Sequence, residues 1–325
     1  MRRRDVITGV ASVVALQGFA NAQHGIRRIA MLLASAEDDP VLPRFIAAVE
    51  QGLQSLGWKP GSNVQIDVRV SGFDPKRLQT HANELLALKP EAVLVLSTVE
   101  IRAIRAESAT VPVVFVGNID PAAEPDVQSI ARPGGYTTGF INYEASIAAK
   151  WLDLLKQVMP TLHRVGMILN HEARQLIPLE KAVVAAAPSF AVELTKIGDT
   201  DDAIIRSGIE HFASAPGGLI IFPGASTIAH RDLVIDLSIR HHLPAIYPFA
   251  SYARAGGLMF YGVDQIDQFR RAASYVDQIL RGAKPGDLPI QGPVKFTFVV
   301  NLKTARAMGV PVPATLLTAA DEVIE

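Results

Sequence analysis

The stretch 111-VPVVFVGNIDPAAE-124 decides how the chain is interpreted, because an apolar run passes directly into polar residues. Six of its first seven residues are apolar, which is typical of a strand that is buried on both faces. The run then reaches Asn118, Asp120 and Pro121. Such an end either caps the following helix or presents polar groups to a bound molecule. The rest of the chain has to separate these two interpretations.

Similar apolar, β-branched runs recur along the chain, and segments of helical period lie between them. In 43-PRFIAAVEQGLQSLG-57, for example, Phe45, Val49 and Leu53 share one stripe of an amphipathic helix. Strands that alternate with helices predict right-handed βαβ units and parallel sheets. A further helix over 265–281 and a last strand over 295–301 predict that the chain crosses between two lobes more than once. The other predicted strands form two groups of five with a break near residues 142–145: 28–34, 64–70, 92–97, 111–116 and 137–142, then 164–170, 190–197, 218–223, 243–248 and 257–263.

The composition excludes several classes of function. A chain of 325 residues is long enough for two domains, and 31 basic against 32 acidic residues give no basic excess that would indicate a nucleic-acid partner. The absence of cysteine excludes disulfides, thiolate metal ligands and a thiol nucleophile. The chain contains no phosphate-binding loop, no dinucleotide fingerprint and no H-E-x-x-H motif, and 224-GAST-227 lacks the last glycine of a nucleophile elbow. We therefore predict no cofactor, no metal, no catalytic residue and no enzymatic activity.

The first residues, 1-MRRRDVITGVASVVALQGFANAQ-23, have the features of an export signal. Three arginines precede a weakly apolar run, and an A-x-A site predicts cleavage after Ala22, so that residues 1–22 are removed. Arg3 and Arg4 also fit a twin-arginine signal loosely, and the choice between the two export routes stays open. The alternative is a membrane anchor, for which the run is short. We expect a periplasmic chain that is not a lipoprotein, because it has no cysteine.

Polar and aromatic residues follow many of the predicted strands. In open parallel sheets, ligands bind at the carboxyl ends of the strands, although Ser, Asn and Asp at such positions also cap helices. For the aromatic residues, the alternative is an ordinary place in the core. The predicted ligand-binding residues are Ser35, Ser97, Thr98, Asn118, Asp120, Asn142, Asn170, Tyr247, Phe249 and Tyr261.

Asp120 is the first candidate among them. A carboxylate at the end of an apolar strand is costly unless donors satisfy it. Either the N–H groups of the next segment or an amine or hydroxyl group of a ligand would do so. If Asp120 holds an amine, Asp120→Ala should weaken binding and leave folding intact.

Four segments carry a resemblance to a known family: 111-VPVVFVGNIDP-121, 131-ARPGGYTTGF-140, 243-LPAIYPFASYARAGGLMFYG-262 and 279-ILRGAKPGDLPIQGPVKFTFVVNLKTARAMGVPVP-313. The chain resembles the ABC-transporter substrate-binding proteins related to tryptophan/tyrosine-type periplasmic binding components, and the resemblance covers nearly all of it. This implies an α/β, type I periplasmic-binding-protein fold, with two doubly wound parallel-sheet lobes, a three-segment hinge and the ligand in the cleft. Matching positions imply ligand contacts at Asp120, Asn170 and Tyr261, and less directly at Tyr247.

The chain also departs from this family. Tyr136 stands where relatives usually have Asn, 125-PDV-127 where they have Gly-Leu-Val, His171 where Pro is frequent, and Phe260 where Ser is common. These departures lie near the expected cleft, so the ligand of this chain can differ from that of a relative.

The resemblance implies a lobe assignment and a function. Residues 23–142 with about 264–284 would form the first lobe, and residues 143–263 with about 285–325 the second. The chain would be an exported, monomeric solute-binding component of an ABC importer. It would capture an amino acid or small aromatic acid and deliver it to a permease and its ATPase, with no nucleic-acid partner. The alternatives are a solute sensor for a membrane receptor and a hydrolase- or racemase-type enzyme on an α/β fold.

Overall fold

A computed structural model describes residues 25–121, 124–144 and 146–325 of the chain. The predicted export signal at 1–22 lies outside these residues. Among the described residues, no helix combines the length and the apolar character that a membrane span requires.

The first lobe is built on a five-stranded parallel sheet in the order β2-β1-β3-β4-β5. β1, β3 and β4 are largely buried on both faces, as their continuous apolar sequences predict, whereas the edge strand β2 is only partly buried. On one face Phe45 stacks on Phe269 with ring centroids 4.3 Å apart. The elements are β1 (Arg27–Leu33), α1 (Leu42–Ser55), β2 (Val64–Val70), α2 (Pro75–Ala87), β3 (Ala92–Ser97), α3 (Thr98–Glu107), β4 (Val113–Asn118) and β5 (Thr137–Ile141).

The second lobe repeats this arrangement and extends it. Its sheet has the order β12-β11-β10-β9-β8-β6-β7, in which the strands from β6 to β10 take the same relative places as those from β1 to β5. β11 runs antiparallel to β10, and β12 pairs in parallel with β11. The elements are α4 (Ser146–Val158), β6 (Arg164–Leu169), α5 (Ile177–Ala186), β7 (Glu193–Gly198), α6 (Asp202–Phe212), β8 (Gly218–Ile221), α7 (Ala225–Ala229), α8 (Arg231–Arg240), β9 (Ala245–Tyr247), α9 (Ala250–Arg254), β10 (Met259–Val263), β11 (Phe296–Asn301), α11 (Leu302–Met308), α12 (Ala314–Ala319) and β12 (Glu322–Ile324).

The chain crosses between the sheets three times. It leaves the first sheet after β5, returns after β10 to form α10 (Gln265–Leu280) against α1, and crosses again before β11. The segment after α10 stays with the first sheet as far as Gln291, whose N–H donates to the Gly139 carbonyl at 2.9 Å, and Thr138 Oγ1 donates to the Leu288 carbonyl at 2.6 Å. The sequence placed this last crossing earlier, at about residue 285. The proline-containing stretch 282-GAKPGDLP-289 therefore stays with the first lobe.

Several polar residues between strands and helices act as helix caps. Asp74 accepts from the N–H groups of Lys76 and Arg77 at the start of α2. Asp201 caps α6 and Asp264 caps α10 in the same manner. Capping is the ordinary role of such residues, so a polar residue after a strand needs a second feature before it indicates a ligand.

Candidate functional site

A cleft of about 910 Å³ lies between the two sheets and is lined from both lobes. The loop after β1 and the carboxyl ends of β3 and β4 contribute to its first wall, and β10 with the residues after β8, β9 and β10 contributes to its second. These are the carboxyl ends of parallel strands, where ligands bind in open α/β sheets. The volume is in the range of small-molecule sites.

Aromatic rings line both walls of the cleft. Phe45 and Phe73 belong to the first lobe, and Phe249, Tyr252 and Phe260 to the second. Phe249 and Tyr252 pack against each other with ring centroids 6.1 Å apart. Such walls favour a ligand with a flat or apolar part, because rings stack and exclude water.

Glu100 connects two segments of the first wall of the cleft. It is fully buried, it accepts from the Ala34 N–H at 2.9 Å, and it accepts a further hydrogen bond from the Ser97 hydroxyl. Burial raises the pKa of this carboxyl, although the two hydrogen bonds oppose the shift. Ala34 and Ser97 end the neighbouring strands β1 and β3, and both line the cleft. Glu100 therefore positions two segments of the first wall without lining the cleft itself.

Asn142 lies where the chain first leaves the first lobe, and its side chain lines the cleft. Its backbone N–H donates to the Gly117 carbonyl at 3.1 Å. The side chain is 4% exposed, and its Oδ1 atom has no hydrogen-bond partner in the part of the chain that the structure describes. A buried acceptor without a donor is costly, so this atom is suited to a donor from a ligand.

Charged residues of both lobes meet near the cleft. Asp39 is held in place by the Ser35 hydroxyl at 2.8 Å and the Val41 N–H at 2.9 Å. Across the cleft, Asp232 raises the pKa of the Arg231 guanidinium, and Asp39 adds a smaller attraction. In the same way, Glu322 is paired with Arg254 at 2.6 Å, and Arg44 from the first lobe helps to lower its pKa. Opposite charges thus face each other across the cleft.

Four of the ten predicted ligand-binding residues line the cleft, namely Ser35, Ser97, Asn142 and Phe249. The side chain of Asn118 lies outside what the structure describes. Asp120 follows β4 but does not line the cleft. It is half-buried near Glu124, whose pKa is raised by burial and, to a smaller extent, by the Asp126 and Asp120 carboxylates.

The remaining four have partners elsewhere. Thr98 is buried and donates to Glu124 Oε1 at 2.9 Å. Asn170 accepts from the Glu172 N–H at 2.8 Å in the turn after β6.

The two tyrosines among the four pack inside the second lobe. Tyr247 is fully buried against Tyr252, at 5.6 Å between ring centroids. Tyr261 stacks on Phe296 at 5.6 Å, and its carbonyl accepts from Trp151 Nε1 at 2.7 Å. Because side chains alternate along a strand, its neighbour Phe260 lines the cleft instead.

His230 contacts both Ser226 and Asp202, and the combination of these three residues invites comparison with a catalytic triad. His230 Nδ1 lies 2.8 Å from the Ser226 carbonyl and 3.3 Å from Ser226 Oγ, and Nε2 lies 3.2 Å from Asp202. A carbonyl only accepts, so Nδ1 carries the proton, and Ser226 Oγ donates to the Asp199 carbonyl. A nucleophile needs a ring nitrogen that accepts from its hydroxyl, which this arrangement does not provide.

Comparison with known proteins identifies the family. The model of the family "ABC transporter substrate binding protein" matches residues 32–324. The chain belongs to this family. The predicted family and the type I periplasmic-binding fold are thereby confirmed, and the chain is a substrate-binding protein of an ABC transporter.

Three similar proteins place this substrate-binding protein among its relatives. A tyrosine-binding protein of Clostridioides difficile is 21% identical over 272 residues, which cover 83% of this chain and 78% of the relative. The ABC domain of Streptococcus pneumoniae in complex with L-Trp has a TM-score of 0.82 at 21% identity, and a conserved domain protein of Vibrio cholerae has 0.82 at 20%. Each of these two structures is covered completely and matches 92% of this chain, and at this identity the two matches show the shared fold.

Sequence reasoning missed several cleft residues of this substrate-binding protein. Phe45 was predicted only as part of a helix stripe, and Phe73 lies in the loop after β2. Tyr252 carries no strand-end signal, because it lies inside the short helix α9, which follows β9 after two residues. Asp199 follows β7 by one residue, so the rule that examines strand ends would have found it if the strand end had been predicted at Gly198.

Proposed function

We propose that this substrate-binding protein is exported to the periplasm and captures an amino acid or small aromatic acid between its lobes. It then delivers the solute, as a monomer, to a membrane permease and its ATPase. The observation that carries the proposal is the Asn142 Oδ1 atom, which has no hydrogen-bond partner among the described residues and lies at an aromatic-walled cleft between two lobes. The export signal at 1–22 supports the location, and the relatives that bind tyrosine or carry L-Trp support the ligand class.

The proposed mechanism is a shift between open and closed lobe arrangements. A ligand that contacts both walls gains those contacts only when the lobes are closed, so binding favours closure. The lobes would consist of residues 25–141 with 265–291, and 146–263 with 296–325, and three connecting segments would act as the hinge. A micromolar dissociation constant corresponds to about −8 kcal/mol, which a few hydrogen bonds and ring contacts in a desolvated cleft can supply.

A thermal scan of the mature chain from Gln23 against amino acids and aromatic acids tests the proposal. A ligand that binds only the folded state raises the melting midpoint with concentration. Calorimetry should then show that Asn142→Ala weakens binding of the best ligand about tenfold, the worth of one hydrogen bond of about 1.4 kcal/mol. The proposal fails if no member of the panel shifts the midpoint of the folded protein.

Asn170→Ala is the matched control for this experiment. Its amide caps a turn outside the cleft lining, so its loss should cost about 1 kcal/mol of stability and leave affinity unchanged. Equal affinity losses in both variants would mean that Asn142 acts through the fold rather than through the ligand.

A further inference from the structure

Asp199 is a buried carboxylate of the second lobe that lies next to the cleft wall. It follows β7 at the carboxyl edge of the sheet and is 1% exposed. Its Oδ1 atom has no hydrogen-bond partner in the described part of the chain. Burial raises the pKa of this carboxyl, and the hydrogen bond from its own backbone N–H and the charges of His230 and His171 oppose the shift only in part.

The neighbouring imidazole of His230 does not satisfy this carboxylate. Its two ring nitrogens already contact the Ser226 carbonyl and the Asp202 carboxylate. A carboxylate in such a place is costly unless a donor or a cation reaches it. The Oδ1 atom of Asp199, which has no partner among the described residues, is therefore open to a donor from a ligand.

Gly224 provides the connection between Asp199 and the cleft. It lines the cleft, and it leaves open the space that a side chain would fill at that position. The atoms nearest to this space are Thr227 Oγ1, at 3.6 Å from where a Cβ would lie, and Asp199 Oδ2, at 3.9 Å. Both are oxygens that bound a small recess in the second wall.

The recess offers hydrogen-bond acceptors. Thr227 directs its hydroxyl proton toward the Phe222 and Gly224 carbonyls, at 2.9 and 3.0 Å, so its oxygen can accept, and the Tyr252 hydroxyl is a neighbouring donor. Asp199 accepts through both oxygens when it is ionised. A protonated primary amine is the small group that donates in several directions and also balances the charge.

We propose that Asp199, with Thr227, binds the protonated amine of the ligand in the recess beside Gly224, while the aromatic walls take the rest of the molecule. The inference rests on the proposed function and deepens it, because it requires an amine on the ligand and assigns it to the second lobe. Asp199 lies outside the segments that carry the family resemblance.

Paired ligands with and without the amine provide the test. Calorimetry would compare L-tryptophan with indole-3-propionate, and L-tyrosine with 3-(4-hydroxyphenyl)propionate. The parent protein should bind an amine-bearing member at least tenfold more tightly than its deaminated partner. Asp199→Asn should abolish most of this preference, and it should leave the ligand-free melting midpoint unchanged or higher because a desolvated carboxylate is removed.

Two further variants separate a ligand contact from a structural role. Asp202→Asn is the matched control, because this carboxylate lies three residues away, is 70% exposed and should keep the preference. Gly224→Ala fills the recess at ordinary contact distances with an extended backbone, so it should fold normally and lose the preference.

The outcomes are distinct. If the parent binds both members of each pair equally, or if Asp199→Asn keeps the preference, the inference is overturned and solute binding stands. If His171 or His230 is the true partner of Asp199, Asp199→Asn will instead lower the ligand-free midpoint and leave the preference intact, which also overturns it. If the parent binds none of the four compounds, the proposed function fails for this ligand class and the inference fails with it.

Discussion

Glu100 shows how one buried side chain can hold a binding surface without lining it. Its two oxygens join the end of β1 at Ala34 to the end of β3 at Ser97, which are both cleft residues. The burial of this carboxyl is tolerable because both oxygens accept hydrogen bonds. The arrangement also makes stability depend on pH.

We predict that Glu100→Gln changes the pH dependence of unfolding in a defined direction. Burial raises the folded-state pKa, so the folded protein holds a proton that the unfolded chain has released above about pH 4.3. The parent therefore loses stability as pH rises from that value through the folded-state pKa, and the variant does not. In denaturant titrations, the stability of the variant relative to the parent should rise by up to about 1.4 kcal/mol per pH unit over this interval.

Glu84→Gln supplies a control of opposite sign. A hydrogen bond from Arg69 lowers the pKa of this exposed carboxyl. The parent gains stability from this carboxylate as pH rises through its pKa. The free energy of unfolding of Glu84→Gln, relative to that of the parent, should therefore fall over the same interval. If the difference in free energy of unfolding between Glu100→Gln and the parent does not change with pH across the acidic range, the raised folded-state pKa of Glu100 is contradicted.

The two aspartates illustrate which part of a site the sequence can predict. The sequence predicts that ligand-binding residues gather at strand ends, and by this rule Asp120 and Asp199 are equivalent. What separates them is their surroundings, because Asp199 lies beside Gly224 of the cleft wall and Asp120 lies near Glu124, and these contacts depend on the packing of distant parts of the chain. The recess beside Gly224 is likewise a property of the folded second wall.

At the scale of elements, β10 divides its side chains between the cleft and the lobe interior. Phe260 lines the cleft, whereas Tyr261 stacks on Phe296 of β11. The apolar sequence of β10 predicts a strand. Because both faces of such a strand are covered, its sequence has no alternating pattern that would tell which face meets the cleft. This is why Tyr261 was predicted as a ligand contact and Phe260 only as a departure from the family.

We predict that alanine at these adjacent positions has separable effects. Phe260→Ala and Tyr261→Ala should each lower the free energy of unfolding by about 3 kcal/mol, because each removes a packed ring. Only Phe260→Ala should change ligand affinity, measured by calorimetry at a temperature where both variants are folded. An affinity change in Tyr261→Ala alone would reverse the assignment of the two faces.

Short elements were the least predictable ones. α3 begins at Thr98 directly after β3, with no intervening turn residues to indicate a start. β12 is three residues long and forms only because β11 offers an edge for pairing. The longer strands and helices, whose apolar stripes decide their burial, agree with the prediction to within a few residues.

At the scale of the whole molecule, three chain crossings join two lobes that face each other across one cleft. Opposite charges face each other across it, with Asp39 opposite Arg231 and Arg44 opposite Glu322. The sequence predicts the two lobes from the repeated strand pattern. It does not predict these charge pairs, because their members come from chain segments more than 190 residues apart.

The measurement that tests the account most directly is the distance between the lobes with and without ligand. The chain has no cysteine, so Glu37→Cys with Asp232→Cys places two spin labels at exposed positions on opposite sides of the cleft. Saturation with the amino acid that gives the largest thermal shift should shorten and narrow the distance distribution, and removal of the ligand should restore it. Identical distributions with and without saturating ligand would contradict capture by lobe closure.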